Sequence, residues 1–329
     1  MKKARVLLIT PNLKGVKNGL NRIQPSLGLM TIAQSLINNN HIVKIHDTAL
    51  EGWNNKIDLG DNKVLIGQPE KEIKNVIEEF NPDIVGISIL FSNLNESGHT
   101  IARITKSINP KIHVLIGGNH ITNSLIDYQH NIIHPGDDIP LIKDLEDENI
   151  DFAMVGESDF NIIELVNKLI NNQDISKVPG FLKRVSRGKY SHNPSDRITD
   201  LINLPIPARS LVNMEGYFDI GAFHSAKSKS NRVLNIMCSR GCPEKCSFCT
   251  TPQMWGSIVR WRKLEDIEKE IKMGVEEFQI GEIQFEDDTI TARKKNLIDL
   301  CNVLEKVGLP WCTPNGIKTN YHLANQPDM

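Results

Sequence analysis

Among the first 237 residues there is no cysteine, which excludes a disulfide framework of the kind that staples small secreted domains. No apolar run approaches the roughly 18–20 residues that a membrane helix needs. At the start only Val6–Ile9 is apolar without a break. That is shorter than a signal-peptide core, and no small-residue cleavage pattern follows. Charge of one sign is not in excess, since 38 Lys and Arg against 40 Asp and Glu leave a formal net charge of -2. A surface built to coat nucleic acid would carry a clear basic surplus. The glycine signatures G-x-G-x-x-G and G-x4-G-K-[ST] are also missing, so dinucleotide and nucleoside-triphosphate cradles have no support. What remains is an ordinary globular composition, 40% hydrophobic and 24% charged over 329 residues. It reads as a cytoplasmic protein long enough for two domains.

What the chain does have is a repeated exchange of short β-rich runs with helical periodicity, the pattern of a parallel sheet wrapped by helices. Arg5–Thr10 reads as a buried strand closed by Pro11-Asn12, and Leu29, Ile32, Ala33, Leu36 and Ile37 share one helical face. His41–His46, Ile84–Leu90, Ile112–Ile116 and Phe152–Val155 are further strands. Ile73, Val76, Ile77 and Phe80 mark a helix ended by Asn81-Pro82, and Ile101–Ile108 lies in another. Phe160, Ile163, Val166 and Leu169 would face inward from the next. Together these make five β/α units, an α/β domain of Rossmann-like (flavodoxin-like) layout over residues 1–175. Asp127 to Glu148 reads as an inserted loop with a short helix.

Residues 176–230 break the pattern and read as a linker with a small hairpin, Gly180–Arg184 against Gly188–Tyr190. A second β/α series opens with a strand at Arg232–Met237 and a helix through Leu264, Ile267 and Ile271. It continues with a strand at Glu282–Phe285, a helix through Leu297, Leu300, Val303 and Leu304, and a strand at Trp311–Pro314. A full eight-unit barrel takes ~250 residues. Residues 231–329 therefore read as the incomplete first part of a (β/α) barrel, about three units, as in a fragment of a longer protein.

Four of the six cysteines fall in Cys238-Ser-Arg-Gly-Cys242-Pro-Glu-Lys-Cys246-Ser-Phe-Cys249. In a chain without disulfide signals, so tight a cluster means metal or redox chemistry. The last three form C-x3-C-x2-C. Three thiolates on one short loop can grip three corners of a four-iron cluster, which ordinarily takes four cysteines. The remaining iron then stays open to a ligand, as the open position of catalytic zinc does. Gly241 and Pro243 help such a loop turn sharply. Structural zinc is the rival, although it usually takes two C-x2-4-C pairs separated by a spacer. A redox dithiol at Cys246 and Cys249 would leave Cys242 without a task. Cys238 reads as a small buried hydrophobe, and Cys301 and Cys312 as core. Glu286, Asp287 and Asp288 follow a barrel-type strand at the end where barrels place their chemistry. They could hold a cationic ligand or cap the next helix. Arg260 and Arg262 could face a carboxylate or stand solvated on an exposed loop.

The string Ser-Arg-Gly-Cys-Pro-x-x-Cys-x-Phe-Cys resembles the radical SAM superfamily, and within it the branch with an N-terminal cobalamin-binding domain. Trp255-Gly256, Arg260-Trp261-Arg262, Phe285 to Thr289 and Asn315 to Lys318 are similar to later segments of that branch. Pro25 to Leu29, Gly117 to Thr122 and Gly156-Glu157 are similar to its cobalamin domain. The resemblance implies a [4Fe-4S] cluster on Cys242, Cys246 and Cys249, with S-adenosylmethionine on the open iron. Phe248, Glu286, Asp287 and Asn315 would bind that co-substrate. Cobalamin would lie across the strand ends, at Asn12, Ser88, Asn93, Gly117, Gly118, His120, Gly156 and Glu157.

The implied reaction is reductive cleavage of S-adenosylmethionine to a deoxyadenosyl radical, followed by methylation of an unactivated carbon. Other members carry out radical cyclisation or rearrangement of a tetrapyrrole-like or other substrate. A small-molecule substrate and an electron donor such as a flavodoxin or ferredoxin are the implied partners, with no nucleic acid and no membrane. One departure stands out: many cobalamin domains carry Asp-x-His-x-x-Gly, whose histidine ligates cobalt from below. Here Ile45-His46-Asp47-Thr48 has neither that order nor that spacing. A non-catalytic cobalamin- or metal-binding module with structural zinc remains open as a different class.

Overall fold

Val6, Leu7, Leu8 and Ile9 offer water no polar face, and the chain buries all four in strand β1 (Arg5–Thr10). The structure, a computed structural model, describes residues 2–195, 197–225 and 227–318. It divides into two compact units, Met1–Asn21 with Gly28–Asp196 and Pro207–Val212, and Arg22–Leu27 with Arg197–Ile206 and Asn213–Met329.

In the first unit, β1 is followed by β2 (Leu13–Val16), α1 (Leu27–Asn38), β3 (Ile42–Asp47), α2 (Thr48–Glu51), β4 (Lys56–Gly60), β5 (Lys63–Ile66) and α3 (Glu70–Phe80). Then come β6 (Ile84–Ser88), α4 (Asn95–Ile108), β7 (His113–Gly117), α5 (Asn119–Gln129), β8 (Phe152–Met154), α6 (Asn161–Ile170) and the hairpin β9 (Phe181–Ser186) and β10 (Lys189–His192). The main sheet runs β3-β1-β6-β7-β8-β9-β10, parallel from β3 to β8. Those five parallel strands have the flavodoxin-like order 2-1-3-4-5, whose ligand crevice opens where the order reverses. The stop after α3 is as expected, since Asn81 takes a left-handed conformation and its N–H caps Ile77 O.

Several local expectations need correction. The hairpin expected within the 176–230 linker extends the first unit's sheet, because β9 pairs antiparallel with the open edge of β8 and buries Phe181 and Leu182 there. The inward face of α6 is Ile162, Leu165, Val166 and Leu169, while Phe160 and Ile163 are half-buried. Ile162 and Ile163 are adjacent and both apolar, so periodicity alone could not choose between them. A second, antiparallel sheet, β2-β5-β4, has no counterpart in the sequence reading. Lys56, Ile57, Asp58 and Leu59 of β4 alternate polar and apolar, but the strand is exposed along its whole length and that alternation marks no buried face. A second signal is Asp61-Asn62, both at positive φ, a two-residue hairpin turn. Within Asp127 to Glu148, α5 runs on to Gln129, and one 3-10 turn at Lys143–Glu146 buries Asp144 and Leu145.

The second unit contains α7 (Met214–Ile220), β11 (Val233–Ile236), β12 (Ser239–Arg240), α8 (Thr251–Trp255), β13 (Arg260–Trp261), α9 (Leu264–Phe278), β14 (Glu282–Phe285), α10 (Lys294–Val307) and β15 (Trp311–Cys312). A parallel sheet β11-β14-β15 carries α9 and α10 as its crossovers, and β12 pairs antiparallel with β13. The last residues of the expected 231–329 core, 319–329, lie outside the described residues. Cys301, expected in the core, is exposed. The buried stripe of α10 is Leu300, Val303 and Leu304, one step away from it. Cys312, on the edge strand β15, is only half-buried. Among the described residues no helix is long and apolar enough to cross a membrane.

Candidate functional site

The cysteines sit on a loop whose two ends are tied together. Ser239 pairs with Trp261 and Arg240 with Arg260, so β12 and β13 clamp residues 241–259 at the root. Gly241 turns into the loop at φ +103°, where a Cβ would stand 2.4 Å from Ile258 O, so only glycine fits. Cys242 N donates to Gly256 O at 3.1 Å, and Cys249 N to Cys246 O at 3.1 Å. Cys242 and Cys249 are half-buried, while Cys246 and Phe248 are exposed. Burial pushes the Cys242 thiol pKa up, a backbone hydrogen bond at Glu244 opposes that, and the charge of Asp288 adds to the rise.

Among the described residues, no three His, Cys, Asp or Glu side chains are gathered into a group that could hold a metal ion. The expectation that three sulfurs surround one point is therefore not met by the loop itself. Thiols do not attract one another and thiolates repel, so a shared metal centre is what draws such donors together. The donor set still suits iron, being three soft sulfurs on one clamped loop with no carboxylate interposed between them in sequence except Glu244.

Behind the loop, Asp287 has a task that sequence reasoning missed. It is 2% exposed, and it accepts from Cys238 N at 3.0 Å and from Ser239 N and Ser239 Oγ at 2.6 and 2.5 Å. Its carboxylate is thus spent on the chain entering the cysteine loop, which corrects its expected place on the co-substrate. Nothing local announces a pairing 48 residues apart. Arg260 and Arg262 are buried rather than solvated. Arg260 holds the carbonyls of Ile198 and Trp255, the latter at 2.7 Å. Arg262 donates to Met237 O at 3.0 Å and forms an ion pair with buried Glu270 at 2.7 Å. Cys238 is fully buried, as expected.

At the carboxyl end of β14, Glu286 Oε2 accepts from His224 Nδ1 at 2.8 Å, and its Oε1 is buried without a partner among the described residues. Asn315 Nδ2 donates to the carbonyls of Glu286 and Asp287 at 3.1 and 3.3 Å. Asp288 accepts from Thr251 Oγ1 at 3.2 Å, and burial raises its pKa.

In the first unit, the expected ligand edge is less uniform. Ser88 and Gly117 stand opposite each other across β6 and β7. Asn12 Nδ2 donates to Gln68 O at 2.8 Å and its Oδ1 is buried without a partner among the described residues. Asn93 donates to Lys14 O at 2.7 Å, and Glu157 is buried. The space beside Gly118 and Gly156, two of the implied cobalamin positions, is occupied by the chain itself. A Cβ would meet Ile89 O at 2.6 Å from Gly118 and Ser195 Oγ at 2.6 Å from Gly156. Gly117 is more open, with Met154 O at 3.3 Å. Leu90 and Phe91, just past β6, are exposed apolar side chains at the same sheet edge.

His120 is fixed from two sides, by Ser92 Oγ at 3.0 Å from Nδ1 and by Asp144 at 3.3 Å from Nε2. Asp144 also meets His99 at 3.3 Å, and Asp147 meets His99 at 2.5 Å. Burial alone would raise the Asp144 pKa, but hydrogen bonds and charge from His120 and His99 hold it well below the usual carboxylate range. The hydrogen bond to Asp144 in turn raises the pKa of His99, against its own burial. Asp47, beside His46, caps α2 through Ala49 N and Leu50 N, so it is committed to the fold.

Comparison with known proteins adds four findings. A family profile described as B12 binding domain matches residues 14–139. The chain is 30% identical over 335 residues to cytidylyl-2-hydroxyethylphosphonate methyltransferase of Streptomyces wedmorensis, covering 95% of this chain and 60% of that protein. It is 28% identical over 322 residues to an uncharacterized methyltransferase, PH0819, of Pyrococcus horikoshii, covering 97% and 61%. The chain thus spans about 60% of the length of these curated relatives. Among solved structures, the radical S-adenosylmethionine methyltransferase TsrM of Kitasatospora setae, with tryptophan substrate and a SAM analogue bound, shares the fold. Its TM-score is 0.62 at 16% identity, over 93% of this chain and 51% of that one.

Proposed function

We propose that this chain is a member of the radical SAM family whose members carry an N-terminal cobalamin-binding domain, and that it serves to methylate an unactivated carbon of a small molecule; the B12 binding profile and the methyltransferase relative support that reading. The observation that carries this reading is the loop 241–259. It bears C-x3-C-x2-C, is clamped by β12 and β13, and is anchored by Asp287 at the carboxyl end of a parallel sheet. Cys242, Cys246 and Cys249 would hold three irons of a [4Fe-4S] cluster. When bound, that cluster supplies single electrons at an iron with no protein ligand, and cobalamin supplies a methyl carrier.

The chain's own residues then bind and orient. Glu286 would take the ammonium of S-adenosylmethionine on its buried, partnerless Oε1. Asn315 steadies the backbone of Glu286 and Asp287 beside it, and Phe248, exposed next to Cys249, would pack against the adenosyl group. Asp287 acts through the loop and does not touch the co-substrate. At the sheet edge of the first unit, Leu90 and Phe91 offer an apolar rest for a flat macrocycle, while Asn12 Oδ1 awaits a donor and His120 holds a fixed imidazole. An electron donor such as a flavodoxin or ferredoxin, and a cytoplasmic location, follow from the same reading.

Anaerobic reconstitution with iron and sulfide tests it. The expected product is a brown protein with a broad visible charge-transfer band, lost in the C242A/C246A/C249A variant. A colourless protein that retains zinc through the same cysteines would instead make this a structural metal module and overturn the proposal.

A further inference from the structure

A buried carboxylate oxygen with nothing to accept is costly, and it marks a place where a donor belongs. Glu286 has one such oxygen. Its backbone is held on both sides, with its N–H on Ile236 O at 2.8 Å and its carbonyl under Asn315 Nδ2 at 3.1 Å. The side chain is 11% exposed, Oε2 is bound to His224 Nδ1 at 2.8 Å, and Oε1 has no partner among the described residues. Neighbouring titratable groups look elsewhere. Asp287 turns to Cys238 and Ser239, Asp288 to Thr251, and Cys312, which feels the Glu286 charge, lies 3.8 Å from Glu282 Oε1.

His224 comes from the segment ahead of β11, outside the cysteine motif, and β14 itself pins that segment. Gln284, which shares a face of β14 with Glu286, accepts from Ser225 N at 3.1 Å and donates to Ser228 Oγ at 2.9 Å. We infer that His224 is a positioning residue for the ammonium group of S-adenosylmethionine: it holds Oε2, fixes the Glu286 side chain, and leaves Oε1 as the acceptor for the ligand's N–H. The inference rests on the proposed S-adenosylmethionine reading of this unit. Fixing an acceptor before the ligand arrives removes an ordering cost at binding.

The test is equilibrium dialysis of S-adenosylmethionine and of 5′-methylthioadenosine, which lacks the ammonium group, against the anaerobically reconstituted protein. His224→Ala should weaken S-adenosylmethionine binding by about tenfold and leave 5′-methylthioadenosine unchanged, the scale of one lost hydrogen bond to a charged group. His224→Asn, whose amide nitrogen can stand near the position of Nδ1, should restore most of that loss. On a Glu286→Gln background, His224→Ala should cost nothing further, since the two residues act as one unit. The inference is overturned if His224→Ala binds S-adenosylmethionine as the parent does while Glu286→Gln does not. It is equally overturned if both His224 variants lose 5′-methylthioadenosine as well, because His224 then holds the fold and not the ligand. If the parent protein forms a cluster yet binds neither nucleoside, the reading of the unit itself falls.

Discussion

Replacing Asp287 by Asn asks whether the root of the cysteine loop is held by a carboxylate that burial disfavours. Asp287 is 2% exposed and accepts three hydrogen bonds, from Cys238 N, Ser239 N and Ser239 Oγ. Burial pushes its pKa from 3.8 up to about 6; the hydrogen bonds from Ser239 and Cys238 pull the other way, and Asp288 adds to the rise. The folded-state value therefore lies above the unfolded one, and between them the folded protein binds the proton more readily. This group's contribution to stability is then greatest below about pH 4 and is lost as pH rises through about 6. A rise of roughly two units corresponds to about 3 kcal/mol.

Asp287→Asn cannot titrate in that window. The parent-minus-variant difference in unfolding free energy should accordingly fall by about 3 kcal/mol between about pH 4 and pH 7. Trp255, Trp261 and Trp311, three of the four tryptophans, belong to the second unit, so urea unfolding followed by tryptophan fluorescence reads it. A difference that stays flat, or that grows with pH, would refute the claim that the ionised carboxylate is disfavoured where it sits.

Three further outcomes are expected. Gly241→Ala forces a side chain into positive φ against Ile258 O; it should cost more than about 1 kcal/mol and lower the iron retained per chain, and unchanged iron would count against the turn's importance. Arg262→Met leaves Glu270, whose side chain is 1% exposed, as a buried charge without its ion pair. That should cost about 3–5 kcal/mol in urea unfolding, with most of it recovered in Arg262→Met/Glu270→Leu. His99, its pKa raised first by Asp144, contributes stability that is present below its unfolded value near 6.5 and lost as pH rises through the folded value. Asp144→Asn should lower the His99 pKa read by NMR titration, and an unmoved titration would show that Asp144 does not hold the imidazole's proton.

The main sheet was readable because its strands are apolar on both faces. Val6–Ile9 and Ile84–Ile87 tolerate no other setting than a parallel sheet covered by helices. The β2-β5-β4 sheet was not, because backbone pairing holds β4 while its side chains stay in water, and patterning sees only side chains. Ile163 and Cys301 stand one step from the buried Ile162 and Leu300, and Phe160 is the N-cap of α6, ahead of its helical stripe. At the edge of the first unit, the resemblance puts Gly118 and Gly156 among the cobalamin positions, yet Ile89 and Ser195 stand where a side chain at either would be.

The amino-acid sequence alone determined the donor chemistry: three thiols at C-x3-C-x2-C on one loop, since covalent spacing along a short turn limits where those sulfurs can go. Tertiary structure decided which carboxylates serve them. Asp287 reaches Ser239 across 48 residues and Glu286 reaches His224 across 62, because β11 and β14 lie side by side and the segment ahead of β11 folds back onto β14. Burial, pairing and hence charge state depend on neighbours in space, and those neighbours are chosen by the strand register, not by proximity along the chain.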